Sequence, residues 1–251
     1  IIYSTIALLA IIYCIYELSK LNFKEFKLRG HSEPSIYQFS IPTIKDLFIE
    51  AFPFGIGALF AFVYVQVDII MLKYMASSSE SGLYYAAYTI LVAIYTIPNV
   101  LFNKFLLPKI HRWSVNDRNR FKETFVKGNF LMLAMGIVTS LLLLIFSKPI
   151  IIILYGNDFY GSIKLLKLLA LTLPFFLMAY STSATLVTQN HMHKKAFIMF
   201  LTAIFNVVLN FILIPKYGAA GASVSTIMSN FLLLIMYFYA NYKYVFKKDN
   251  K

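Results

Sequence analysis

The stretch AFPFGIGALFAFVYVQVDIIML, residues 51–72, decides how the chain is read. Its length and composition predict a membrane-crossing helix, because an apolar slab of about 30 Å needs about 20 such residues. The predicted span runs over Asp46–Met75 and is kinked around Pro53, whose ring and missing N–H interrupt the helical ladder. One acid, Asp68, lies inside it. An ionisable group at membrane depth is costly unless it faces protein or water, so it marks a pathway or a partner.

The rest of the chain agrees with a membrane setting. Its 251 residues are 59% hydrophobic and 14% charged, with a mean hydropathy of +0.70, far more apolar than one soluble core can use. Charge-free runs recur at 81–103, 128–147, 168–192, 196–215 and 217–242. With the Asp68 span and the opening run Ile1–Tyr16 they predict an all-α, polytopic helix bundle of seven transmembrane helices. The opening run has no charged leader or small-residue cleavage site, which predicts a fragment beginning inside a helix rather than a signal peptide. The single cysteine, Cys14, excludes an intrachain disulfide framework or a cysteine-based metal cluster.

A net charge of +12 raises the question of nucleic acid, but the positions of the basic residues answer it. Eighteen of the 23 Lys and Arg fall in alternate connections, namely 17–45, 104–127, 190–195 and the tail after span 7. Positive residues stay cytoplasmic, so the pattern predicts a cytoplasmic C-terminus and residue 1 near the outer face. No nucleic-acid partner is expected. The connection 17–45, broken by Gly30, Pro34 and Pro42, reads as a linker. His111–Glu123, with Trp113, reads as an interfacial segment. Pro98 bends span 3, Pro174 bends span 5, and Pro215 with Gly218 separates spans 6 and 7.

Candidate pathway residues come from helical faces. At about 3.6 residues per turn, Glu50, Gly57, Ala61, Tyr64 and Asp68 share one line, and the small residues on it allow close helix approach. Asp68 therefore faces the bundle. Two readings are open, a coupling-cation or substrate contact and a structural ion pair with a lysine such as Lys73. Span 3 aligns Tyr84, Tyr88, Tyr95 and Asn99, with Asn103 at the edge, a sugar-compatible face or an interfacial tyrosine belt. Span 6 steps through Thr202, Asn206 and Asn210, whose amides need protein or water, for a ligand or for helix–helix hydrogen bonds. Lys164 and Lys167 share a sector with Ser181, Thr185 and Thr188 and either attract an anion or snorkel to the outer interface. Span 7 separates a small-residue strip (Gly221, Ser225, Ser229) from a polar one (Ser223, Thr226, Asn230). His191 and His193 have no nearby Cys, Asp or Glu to complete a metal site, so with Lys194 and Lys195 they read as a solvated turn. No cofactor, metal or catalytic motif is expected.

Spans 2 to 7 resemble the polysaccharide, or O-antigen, flippases of the multidrug/oligosaccharidyl-lipid/polysaccharide exporter superfamily. The resemblance is carried by residues 51–72, SGLYYAAYTI (81–90), PNVLFNKFLLPKI (98–110), ILYGNDFYGS (153–162) and, most specifically, NVVLNFILIPKYGAAGASVSTIMS (206–229). It implies two pseudo-symmetric six-helix lobes. Residues 1–17 would then be the last helix of the first lobe, 18–45 an inter-lobe linker, 46–242 the second lobe and 243–251 a basic tail. It also implies alternating-access movement of undecaprenyl-diphosphate-linked oligosaccharide across a bacterial cytoplasmic membrane for surface polysaccharide assembly. Ion-gradient coupling, by proton or sodium, and partner assembly proteins follow from the same resemblance.

The leading expectation is thus a flippase, not an enzyme. The alternatives are a drug/cation antiporter or lipid II flippase of the same superfamily, a polytopic enzyme of polysaccharide assembly, and a structural membrane subunit. The enzyme is disfavoured because the predicted outer connections are short and the long ones are basic and cytoplasmic.

Overall fold

The computed structural model describes residues 12, 13, 16, 44–101, 107–188 and 191–247, and among them it is helix joined by short turns. The chain divides into two compact units, Ile1–Thr43 and Ile44–Lys251. In the first unit only 12, 13 and 16 are described, all helical, so the expected first span and linker lie outside the described residues.

The second unit opens with α1, Ile44–Met75, which is continuous helix through Pro53. A two-residue turn leads to α2, Ser78–Leu101. Ser77 caps α2 by accepting the Glu80 N–H at 3.1 Å, so the turn expected over 76–80 is shorter than its polarity suggested. Next come α3 (Leu107–Asn116) and the 38-residue α4 (Arg118–Tyr155). The interfacial segment expected over His111–Glu123 is therefore two pieces. The Asp117 side chain accepts the Arg120 N–H at 3.0 Å and starts α4 well before Gly128. At 38 residues α4 is about 57 Å long, beyond the bilayer core, so its polar first turns extend past the apolar part.

Span 5 is a broken helix, α5 (Ser162–Ala170) and α6 (Leu173–Thr188), bent by 44°. The bend sits at Leu171 and Thr172, just before Pro174, which occupies the first turn of α6 where its missing N–H costs least. Thr172 Oγ1 donates to the Leu169 carbonyl at 2.7 Å, the same carbonyl that accepts the Thr172 N–H at 2.9 Å, and this tightens the chain at the break.

The last element, α7, spans Met192–Asn241 with a non-helical Gly218 (φ 55°) inside it. Two limbs meet there and fold back. Asn210 and Thr226 both bond to Asp68, yet along a straight helix sixteen residues span about 24 Å. A Cβ on Gly221 would stand 2.4 Å from the Leu213 carbonyl oxygen, so only glycine admits this approach. These limbs are the expected spans 6 and 7.

Phe54–Met75, Arg118–Tyr155 and Met192–Phe246 are long and apolar enough to cross a membrane, and the bent α5–α6 pair supplies a fourth such segment. Large apolar side chains point outward along them: Phe130 is 72% exposed and Ile145 69%. That is the surface of a membrane helix bundle, where lipid covers what water cannot. Inside, α1 packs most extensively on α7, and the apolar core falls into two clusters. One surrounds Leu72, Tyr84, Leu91 and Leu169, the other Phe121, Leu177, Leu186 and Tyr237.

Candidate functional site: a buried carboxylate beside an open cavity

Asp68 lies two turns before the end of α1 and is 2% exposed. Its carboxylate is met from three directions. Tyr84 Oη of α2 donates to Oδ2 at 2.7 Å, Thr226 Oγ1 of the second α7 limb donates to Oδ2 at 2.6 Å, and Asn210 Nδ2 of the first limb donates to Oδ1 at 2.6 Å. Asn210 Nδ2 also reaches Asn206 Oδ1 at 3.1 Å, and Thr226 Oγ1 lies 3.0 Å from the Ala222 carbonyl. Hydrogen bonds to an ionised acceptor are the strong class and hold the acid in one orientation.

The ion pair proposed with Lys73 is not what forms. Lys73 is exposed, and the partners of Asp68 are hydroxyls and amides. The ion pairs among the described residues with resolved geometry, Arg120–Asp117 and Lys127–Glu123, lie on exposed turns of α4. Tyr84 and Tyr88 are 0% and 7% exposed and stack at 5.8 Å, which overturns the interfacial-belt reading of that face.

Several oxygen and nitrogen atoms near this cluster are buried without partners: Asn210 Oδ1, Asn206 Nδ2, Asn230 Oδ1 and Tyr64 Oη. Which end of an asparagine amide carries oxygen is assigned from the bonding network. Turning the Asn210 amide would set its oxygen against Asp68 Oδ1 at the 2.6 Å now spanned by Nδ2, a separation that a proton on the carboxyl would bridge. Among the described residues no group of three or more His, Cys, Asp or Glu side chains is placed to hold a metal. The donors here are one carboxylate and neutral oxygens, a set suited to a hard cation of low charge.

The other candidate residues separate. Lys164 and Lys167 are exposed on α5, opposite the buried Leu165, Leu166 and Leu169. Their expected alignment with Thr185 assumed one continuous helix, and the 44° break removes it. Thr185 is buried at a helix contact, its hydroxyl within hydrogen-bond reach of the Thr182 carbonyl at 2.8 Å and of Asn241 Oδ1. The side chains of Glu50 and Asn99, and Asn103 altogether, lie outside the described residues. The structure therefore brings together Asp68, Asn206 and Asn210, with Tyr88 one ring away through Tyr84.

Sequence reasoning passed over Tyr84 and Thr226. Both stood on polar faces it had recognised, and the missing signal was which faces meet. A cavity of about 370 Å³ adjoins the cluster, walled by Gly57, Ala61, Tyr64, Phe176, Tyr180 and Lys195. A smaller space of about 140 Å³, shared through Tyr64, Val65 and Phe176, reaches Thr226 and Asn230.

CapF, a capsular polysaccharide biosynthesis protein of Staphylococcus aureus, is 23% identical over 244 residues, covering 95% of this chain and 60% of its own. Agl15 of Haloferax volcanii, a probable low-salt glycan biosynthesis flippase, is 21% identical over 196 residues, 78% of this chain and 41% of its own. The chain thus spans about half the length of these relatives. Among solved structures, an outward-facing multidrug-resistance MATE transporter of the MOP superfamily superposes with a TM-score of 0.69 at 16% identity. A MOP superfamily transporter from Pyrococcus furiosus superposes with a TM-score of 0.67 at 17% identity. Both superpositions cover 82% of this chain and 46% of the other, and they show the fold. A family described as lipid II flippase MurJ matches residues 5–251, nearly the whole chain, and the chain belongs to that family.

Proposed function

We propose that the intact protein is a two-lobe, alternating-access flippase of lipid-linked saccharide and that this chain carries its second lobe. In this reading residues 1–17 end the first lobe, 18–45 link the lobes, 46–242 form six spanning helices and 243–251 are a basic cytoplasmic tail. The cargo is an oligosaccharide on an undecaprenyl diphosphate carrier, moved across a bacterial cytoplasmic membrane without covalent chemistry. The glycan names of CapF and Agl15 support a saccharide cargo, and the lipid II flippase family supports a lipid carrier.

The observation that carries the mechanism is the buried Asp68 cluster. A carboxylate 2% exposed, joined to three helical segments and without a cationic partner among the described residues, is a place where one monovalent cation, sodium or a proton, would neutralise one charge. Binding there ties α1 to both α7 limbs, so occupancy biases which packing of the lobe is favoured. The test is transport of lipid-linked oligosaccharide by the full-length protein in vesicles. Asp68→Ala at equal expression should abolish ion-driven transport, and undiminished transport would remove Asp68 from the mechanism.

A further inference from the structure

We propose that Lys195 is an anion-recognition residue, seating a phosphate oxygen of the cargo's lipid headgroup at the mouth of the lobe cavity. The inference rests on the flippase reading and deepens it by naming the chemistry that the second lobe recognises.

Two adjoining spaces, of about 370 and 280 Å³, share Phe54, Tyr180, Ser183, Met192 and Lys195. The first alone falls in the size range of ligand sites. Lys195 is the one charged side chain among the described residues lining either space. It is only partly accessible, and no hydrogen bond or ion pair to it forms among the described residues. An ammonium group walled by apolar surface and lacking a counter-ion is costly, and water or an incoming anion in the cavity offsets that cost. Its three donors suit a phosphate as a point charge. Tyr64 belongs to the same cavity wall, and its Oη is buried without a hydrogen-bond partner among the described residues.

The neighbouring lysine behaves differently. Lys194 lies 3.3 Å from the ring centroid of Tyr244 and lines a separate apolar groove. Two adjacent lysines in one turn therefore leave on different sides, and one of them enters the cavity. Lys164 and Lys167, which the sequence put forward as anion candidates, are exposed on α5 and line neither space.

A packed lysine stem with a snorkelling head is the competing account, and replacement by methionine separates the two. The experiment uses full-length protein in detergent and measures binding of undecaprenyl diphosphate, undecaprenol and phosphatidylglycerol. Lys195→Gln and Lys195→Met should each weaken undecaprenyl diphosphate binding by about 10- to 100-fold, the loss of one hydrogen bond to a charged group. Undecaprenol binding should not change, Lys195→Arg should retain affinity within a few-fold, and Lys194→Gln should match wild type. Lys195→Met should also keep or raise the melting temperature, whereas a purely structural lysine would lower it. Unchanged diphosphate binding in Lys195→Gln overturns the proposal, as does a loss confined to phosphatidylglycerol. Wild-type protein that binds no carrier lipid would instead overturn the flippase reading itself.

Discussion

The two ends of α1 are built on opposite principles. Around Asp68 the lobe is sealed: Leu72, Tyr84 and Leu91 are 0% exposed and the acid is held by three donors. Glu80 Oε2 closes that end by accepting the Ala219 N–H at 2.8 Å where the α7 limbs turn. Around Gly57, α1 stays close to α7, where a Cβ on Gly57 would stand 3.6 Å from Ala196 Cβ, but a cavity of about 370 Å³ opens beside Ala61 and Tyr64, and the Lys195 ammonium has no ion pair there among the described residues. The sealed end surrounds one carboxylate with hydroxyl and amide donors, and the other end borders a cavity of about 370 Å³. Polar residues at the first hold helices together.

This contrast can be broken by overpacking the sealed end. Gly221→Val places a Cβ 2.4 Å from the Leu213 carbonyl oxygen, and it should destabilise by about 3 kcal/mol, seen as a lower melting temperature of the detergent-solubilised protein. Asp68→Asn should keep most of the fold, since an amide can still bond Tyr84 and Thr226, while removing any rise of melting temperature with added sodium. With wild type, sodium at about 100 times its dissociation constant should add about 2.7 kcal/mol. Equal sodium responses in the two proteins would put the ion elsewhere. Glu80→Gln should cost about 1 kcal/mol by weakening one charge-assisted bond at the helix turn. At the bottom of the scale, Lys164→Gln and Lys167→Gln should stay within about 0.5 kcal/mol of wild type and leave carrier binding unchanged. A large loss in either would move the anion contact back to α5.

Much of this was legible from periodicity. Apolar runs marked α1, α2, α4 and both limbs of α7, and helical spacing put Asp68 on the inward face with Gly57 and Ala61. The four-residue step from Asn206 to Asn210 identified a polar face correctly because amides cannot rest in lipid. What periodicity cannot carry is the pairing of faces. Tyr84 looked like an interfacial tyrosine because its partners, Asp68 and Thr226, stand on other helices 16 and 142 residues away, and Lys195 looked like part of a solvated turn because its surroundings come from α1 and α6. The alignment of Lys164 and Lys167 with Thr185 fails for a local reason, while their exposure fits the snorkelling reading: a break at Leu171 and Thr172 rotates the downstream half of the helix, and composition announces it only as Pro174 three residues on.

The separation between Asp68 and its partners also has a consequence for biogenesis. Tyr84 is made soon after the acid, but Asn210 and Thr226 follow by 142 and 158 residues. At a synthesis rate of about 5–20 residues per second that interval is on the order of ten seconds. For that time the helix bearing Asp68 must reside in the membrane with its carboxylate largely unpartnered, at a cost of up to about 3 kcal/mol, the value for an acid at the centre of a spanning helix. The dense Phe, Val, Ile and Leu content of residues 51–72 offsets this cost, so the stretch secures insertion before it contributes to packing.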